Sequence, residues 1–158
     1  MKETFDFQDG RGEVPAHRHI NPDGSKGGWV ADTARVFDKA WVSGKAQVSG
    51  KAQVFDEARV SGKAQVFDEA WVFGEAWVSG EARVSRPILF MSGLVFNCNE
   101  IAQGIVRIGC LIKTITEFRE RALELAREHN IPENDLKIYL AWFDLVEVRQ
   151  KDSPLKEN

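Results

Sequence analysis

Valine recurs at every sixth position, at Val30, Val36, Val42, Val48, Val54, Val60, Val66, Val72, Val78 and Val84, and none of the series is replaced. From Val36 onward alanine stands two residues before each valine, at Ala34, Ala40, Ala46, Ala52, Ala58, Ala64, Ala70, Ala76 and Ala82. From Val36 to Val78 the residues after the valine are serine or phenylalanine, then glycine or aspartate, then lysine or glutamate. Self-similarity at a fixed short period marks a stacked repeat and constrains the fold more than any other feature of the chain. In an extended Ala-x-Val tripeptide the outer two side chains share one face and the middle one takes the other. Alanine and valine therefore point inward, and stretches such as Ser43-Gly44-Lys45 or Phe55-Asp56-Glu57 make exposed corners.

Three such sides close a prism, and the corner residues support that number because they match better at a spacing of 18 than at 6. Phe37, Phe55 and Phe73 form one column, Gly44, Gly62 and Gly80 another, and Trp41, Arg59 and Trp77 a third. Stacked coils lie about 4.8 Å apart, so each column is a ladder of touching side chains. The Trp-Arg-Trp column is expected to have cation–π character. The repeat supplies about three coils, near the minimum for a stable solenoid. Each buried valine contributes about 1.5–3 kcal/mol before entropy. The open coil ends expose unpaired backbone and apolar interior, so the flanks are expected to cap them.

These considerations divide the chain into an N-terminal arm and coil cap (1–28), a repeat solenoid (29–86), a C-terminal α+β cap (87–150) and a frayed tail (151–158). The arm is rich in Gly, Asp and Pro and reads as irregular chain with a short strand around Thr4-Phe7. After the repeat, Pro87–Met91, Leu94–Phe96 and Ile105–Cys110 read as strands. Thr114-Ile115-Thr116-Glu117 has the pattern of a capping box, and Phe118, Ala122, Leu125, Ala126 and His129 share one face of a helix over about 115–129. A second helix begins near Pro132 and aligns Leu136, Tyr139, Leu140, Phe143 and Val146, with Trp142 at its flank.

The chain has 158 residues and a formal net charge of −3, which gives no bulk electrostatic case for nucleic acid or an anionic membrane. Its first residues lack a secretory pattern and no apolar run approaches a membrane span, so a cytoplasmic protein is expected. Cys98 and Cys110 are expected to stay reduced as small buried side chains. His17 and His19 form an H-x-H pair, but its spacing to the cysteines fits no standard zinc site, and loop histidines bonding the capped coil are the preferred reading. No metal, cofactor or catalytic residue is assigned. His129 reads as a packing residue near a helix C-terminus.

Two surface features stand out. The Phe37/Phe55/Phe73 ladder is either a seam buried by the arm or the helices, which is slightly preferred, or an exposed strip for a partner or second subunit. Trp41, Arg59 and Trp77, with Trp71 beside them, have the composition of an interface, while cross-strand stacking on a solvated sheet is the plainer alternative.

The repeat resembles the left-handed parallel β-helix of hexapeptide-repeat proteins, and the handedness is what that resemblance implies. Asp6–Gly12, Val14–His17, Gly27–Ala34, the repeats and Ile108-Gly109-Cys110 together resemble a group of small phage- and prophage-encoded hexapeptide-repeat proteins. The chain departs from that group at Lys113 and Phe118, where the group has a histidine and a tryptophan. The resemblance implies a non-enzymatic accessory protein that binds a protein partner, a host factor or defence component. Alternatives are a self-associating structural or virion piece, forming a homo-oligomer, and a degenerate acyltransferase-like enzyme. The latter would need a histidine on the coil and a loop excursion, and residues 34–84 contain neither.

Overall fold

A computed structural model describes residues 3–152, which form two compact units, residues 3–88 and residues 89–152. The first is a β-solenoid of about three turns with parallel sheets, and helices follow in the second. The solenoid opens with β1 (Thr4–Asp6), β2 (Glu13–Ile20) and β3 (Lys26–Ala31). Two-residue strands follow at each repeat: β4 (Arg35–Val36), β5 (Trp41–Val42), β6 (Gln47–Val48), β7 (Gln53–Val54), β8 (Arg59–Val60), β9 (Gln65–Val66), β10 (Trp71–Val72), β11 (Trp77–Val78) and β12 (Arg83–Val84). They stack as β3-β6-β9-β12, β4-β7-β10 and β5-β8-β11, every pair parallel and offset by 18 residues. The coils are joined by backbone bonds such as Arg35 N–H to Ala52 O (2.9 Å) and Trp41 N–H to Ala58 O (2.8 Å). Val42, Val48, Val54, Val60, Val66, Val72, Val78 and Val84 are completely buried, as the inward Ala-x-Val pattern requires.

The corners explain the glycine–aspartate alternation. Asp38, Gly44, Gly50, Asp56, Gly62, Asp68, Gly74 and Gly80 all have φ between 55° and 71°. Only glycine adopts this region freely, and aspartate is among the few other residues that tolerate it. Stacking adds a second constraint, because a Cβ on Gly62 would sit 3.0 Å from the Gly80 carbonyl oxygen. Where aspartate occupies the corner it also bonds along the stack, since Gly74 N–H donates to Asp56 Oδ2 at 3.0 Å.

The N-terminal arm departs from the irregular chain expected of it. β2 is eight residues long and pairs antiparallel with β1 on one side and β3 on the other. Asn21-Pro22-Asp23-Gly24 makes the turn into β3, closed by Gly24 N–H to Asn21 O at 2.8 Å, with Gly24 at φ 84°. The Pro-Asp-Gly sequence is the signal for such a turn. Asn21 then covers the first coil: its side-chain oxygen accepts from Val42 N–H at 3.0 Å. Gly27 and Gly28 lie so close to the Val42 and Ala46 carbonyls that any side chain there would collide.

In the second unit β13 (Phe90–Met91), β14 (Cys98–Ala102), β15 (Ile105–Ile108) and β16 (Leu111–Thr114) form an antiparallel sheet in sequence order. Leu94–Phe96, expected as a strand, is a bend, and the strand lies at Cys98–Ala102 instead. The reason is Glu100, wholly buried in β14: it accepts from Leu89 N–H (2.7 Å), Arg149 (3.1 Å) and Gln150 (3.2 Å). The expected capping box is present, with Glu117 N–H donating to Thr114 Oγ1 at 3.1 Å and Thr114 N–H to Glu117 Oε2 at 2.9 Å. Three helices replace the two expected: α1 (Ile115–Glu120), α2 (Ala122–Glu128) and α3 (Glu133–Asp152). α1 and α2 are separated only at Arg121 (φ −104°, ψ 11°), and the bonds Arg121 N–H to Glu117 O and Leu125 N–H to Arg121 O span the break. They are one kinked helical path. Phe118, Leu125, Tyr139, Trp142, Phe143 and Val146 form the core with Cys98 and Val106. Of the tail expected at 151–158, Lys151 and Asp152 end α3, and residues 153–158 lie outside the described residues.

Candidate functional site

The aromatic candidates converge on one corner of the solenoid. Residues 37–40 connect β4 to β5, so the Phe37/Phe55/Phe73 column runs along the edge between the β4-β7-β10 and β5-β8-β11 sheets. The rings are stacked: Phe37 and Phe55 have centroids 5.2 Å apart at 6°, and Phe55 and Phe73 5.6 Å apart at 15°. Trp71, outward on β10, meets Phe55 edge-on at 6.5 Å. On the other flank β5, β8 and β11 bring Trp41, Arg59 and Trp77 into one register row. All seven residues therefore occupy one corner and its two adjoining faces.

Their exposure differs in a way the sequence did not determine. Phe37 is 41% and Trp71 45% exposed, Arg59 is exposed, and Phe55, Phe73, Trp41 and Trp77 are half-buried. Burial of the ladder, the slightly preferred expectation, therefore fails at Phe37, the first rung of the column, where only one face of the ring stacks on another phenylalanine. Phe55 and Phe73 owe part of their cover to the ladder itself, since each flat ring shields the face of its neighbour. Trp77 is also fixed by its indole N–H, which donates to Ser61 Oγ at 2.9 Å. Guanidinium-over-ring stacking is found on the sheet containing β3 and β12, with Arg18 5.4 Å from Trp29 and Arg83 5.0 Å from Phe67. Beside the ladder Lys39 pairs with Glu57 at 3.0 Å, an exposed pair of little energetic consequence. The corner thus presents stacked apolar rings flanked by polar and charged groups, the composition of a contact surface.

Of the other titratable candidates, His17 lies beside Phe37 in a shallow surface hollow completed by Ala34, Arg35 and Val36. His17 and His19 lie on strand β2 and not in a loop. His17 Nδ1 is 3.2 Å from Asp32 Oδ1, and His19 Nε2 is 3.2 Å from the Ala40 carbonyl. Burial holds the His19 pKa below 6.5, partly offset by that carbonyl. Both cysteines are free, but only Cys98 is buried; burial pushes its thiol up to about 12. Cys110, expected to be buried, is exposed in the turn between β15 and β16. His129 is likewise exposed, with its ring edge-on to Phe96 at 5.9 Å. Among the described residues no cluster of three or more His, Cys, Asp or Glu side chains is placed to hold a metal, and no helix is long and apolar enough to cross a membrane.

Sequence reasoning missed the buried Glu100–Arg149–Gln150 network, for which an acidic residue among Asn99 and Ile101 gave no periodic signal. No protein-family model, curated protein or solved structure matches this chain.

Proposed function

We propose that this chain is a non-enzymatic binding protein that engages a protein partner through the aromatic corner of its solenoid. The resemblance of its repeats to left-handed β-helices, and of the chain to small phage- and prophage-encoded proteins, supports an accessory role in a host cell's cytoplasm, with a host factor or defence component as partner. One observation carries the binding reading: Phe37 and Trp71 are exposed while each packs against the Phe55 ring. Large aromatics that lose little side-chain entropy on contact are the anchors from which interface hot spots are made.

The test pairs light-scattering mass with affinity capture from host cells, using wild type and a Phe37→Ser/Trp71→Ser variant that leaves the buried Ala/Val core intact. The expected result is a 17.8 kDa monomer in both cases, with a captured partner that the variant loses. Wild-type oligomers that the variant dissolves would instead favour the self-associating structural reading. Equal capture by both proteins would defeat the proposal.

A further inference from the structure

The first coil of the solenoid is capped on two of its three sides. The outer edge of β3 pairs with β2. On β5, Asn21 Oδ1 accepts from Val42 N–H at 3.0 Å, and His19 Nε2 lies 3.2 Å from the Ala40 carbonyl oxygen. β4 stands one repeat earlier and is built alike, yet it is the terminal strand of its sheet, and among the described residues no strand pairs with its outer edge. Arg35 and Phe37 direct their N–H groups to Ala52 O and Val54 O of the next coil, at 2.9 and 3.1 Å. Successive residues of a strand turn their polar groups to opposite edges, so Val36 N–H and the carbonyls of Ala34 and Val36 point to the open side. Three side chains mark the same edge. Val36 is the one valine of the ten that is not buried. Phe37 stacks on Phe55 and is still 41% exposed. Arg35 is exposed, and its guanidinium has no ion-pair partner among the described residues.

We propose that β4 is a strand-addition site, at which an extended segment of the protein partner supplies the rung that the first coil lacks. The inference rests on the reading of the aromatic corner as a partner surface and names what that partner presents. An open strand edge is a template for another strand, with main-chain bonds giving affinity and alternate side chains giving specificity. The stacking of β4 on β7 defines the occupant. A segment laid parallel to β4 in the same register donates to the carbonyls of Ala34 and Val36 and accepts from Val36 N–H. Its side chains continue the existing columns: a small residue over Ala34, an acidic one opposite Arg35, a branched apolar one over Val36, and an aromatic one on the face of Phe37 turned away from Phe55. Each residue of that pattern answers a group that the first coil leaves unmatched.

The test titrates the ¹⁵N-labelled full chain with the blocked tetrapeptide acetyl-Ala-Glu-Val-Phe-amide. Saturable binding with Kd on the order of 1 mM is expected of so short a segment, together with slowed exchange of the Val36 amide. Methylating the peptide's Phe nitrogen removes the donor to Val36 O and should weaken binding about tenfold, whereas methylating its Val nitrogen, which faces away, should change it little. Arg35→Glu should weaken the peptide about tenfold, and a peptide with lysine in place of glutamate should recover the loss. A response that does not saturate, indifference to which nitrogen is methylated, or equal binding by Arg35→Glu and wild type would each overturn strand addition. A captured partner that Phe37→Ser/Trp71→Ser loses but Arg35→Glu retains would also overturn it, while leaving the corner reading intact. So would a mass that doubles with concentration as the Val36 amide slows without peptide, which would assign the edge to a second copy of the chain.

Discussion

From Val42 to Val84 every rung of the solenoid buries the same alanine and valine, and the corners from Asp38 to Gly80 solve the same backbone problem with glycine or aspartate. The 89–152 unit repeats nothing: its interior mixes Tyr139, Trp142 and Phe143 with a fully buried Glu100 held by Arg149 and Gln150 from α3. Stability is therefore distributed in the first unit and concentrated in the second. A rung that loses one methyl pair still has intact neighbours above and below, whereas the carboxylate network has no duplicate.

The largest effect should come from removing that network. Glu100→Ala leaves Leu89 N–H, Arg149 and Gln150 without their shared acceptor, and urea unfolding should show a loss of about 3–5 kcal/mol. A loss below about 1 kcal/mol would mean that water replaces the carboxylate and the contrast between the units is false. Val60→Ala, in the middle of the stack, should cost about 2–3 kcal/mol through the cavity it opens. Amide exchange should quicken in β5, β8 and β11 but not in the 89–152 unit, and a chain-wide increase would show that the two units unfold together. The smallest effect is pH-dependent. Because burial depresses the His19 pKa, the stability linked to its neutral form is fully present above pH 6.5 and lost as pH falls through the folded value. Wild-type melting temperature should drop more steeply below pH 6.5 than that of His19→Gln, and parallel curves would exclude this histidine as the cause.

The same contrast governs what could be read from the residues. The solenoid was legible because one local environment recurs, so the valine spacing gave its core and the 18-residue matches gave its columns. The capping box at Thr114 and the stripe from Leu136 to Val146 were legible for a similar reason, since helix chemistry is local. β14 was not, because Glu100 is satisfied in its buried place by partners as much as 50 residues away in sequence. β2 was obscured by the proline within it and by its even mixture of polar and apolar residues, although the Pro-Asp-Gly turn after it was a usable signal. At the aromatic corner, spacing fixed which rings stack; their exposure depended on what else lies over the column, which no local pattern encodes.

The left-handed corners also limit how the chain can change in length. Each one bonds to the corner a full turn away, so removing a single residue would bring a side chain into a slot that admits only glycine or aspartate, and would turn every later valine off the axis. Removing or duplicating 18 residues preserves every contact type. Length variation in such a chain is quantised, and its currency is the whole turn.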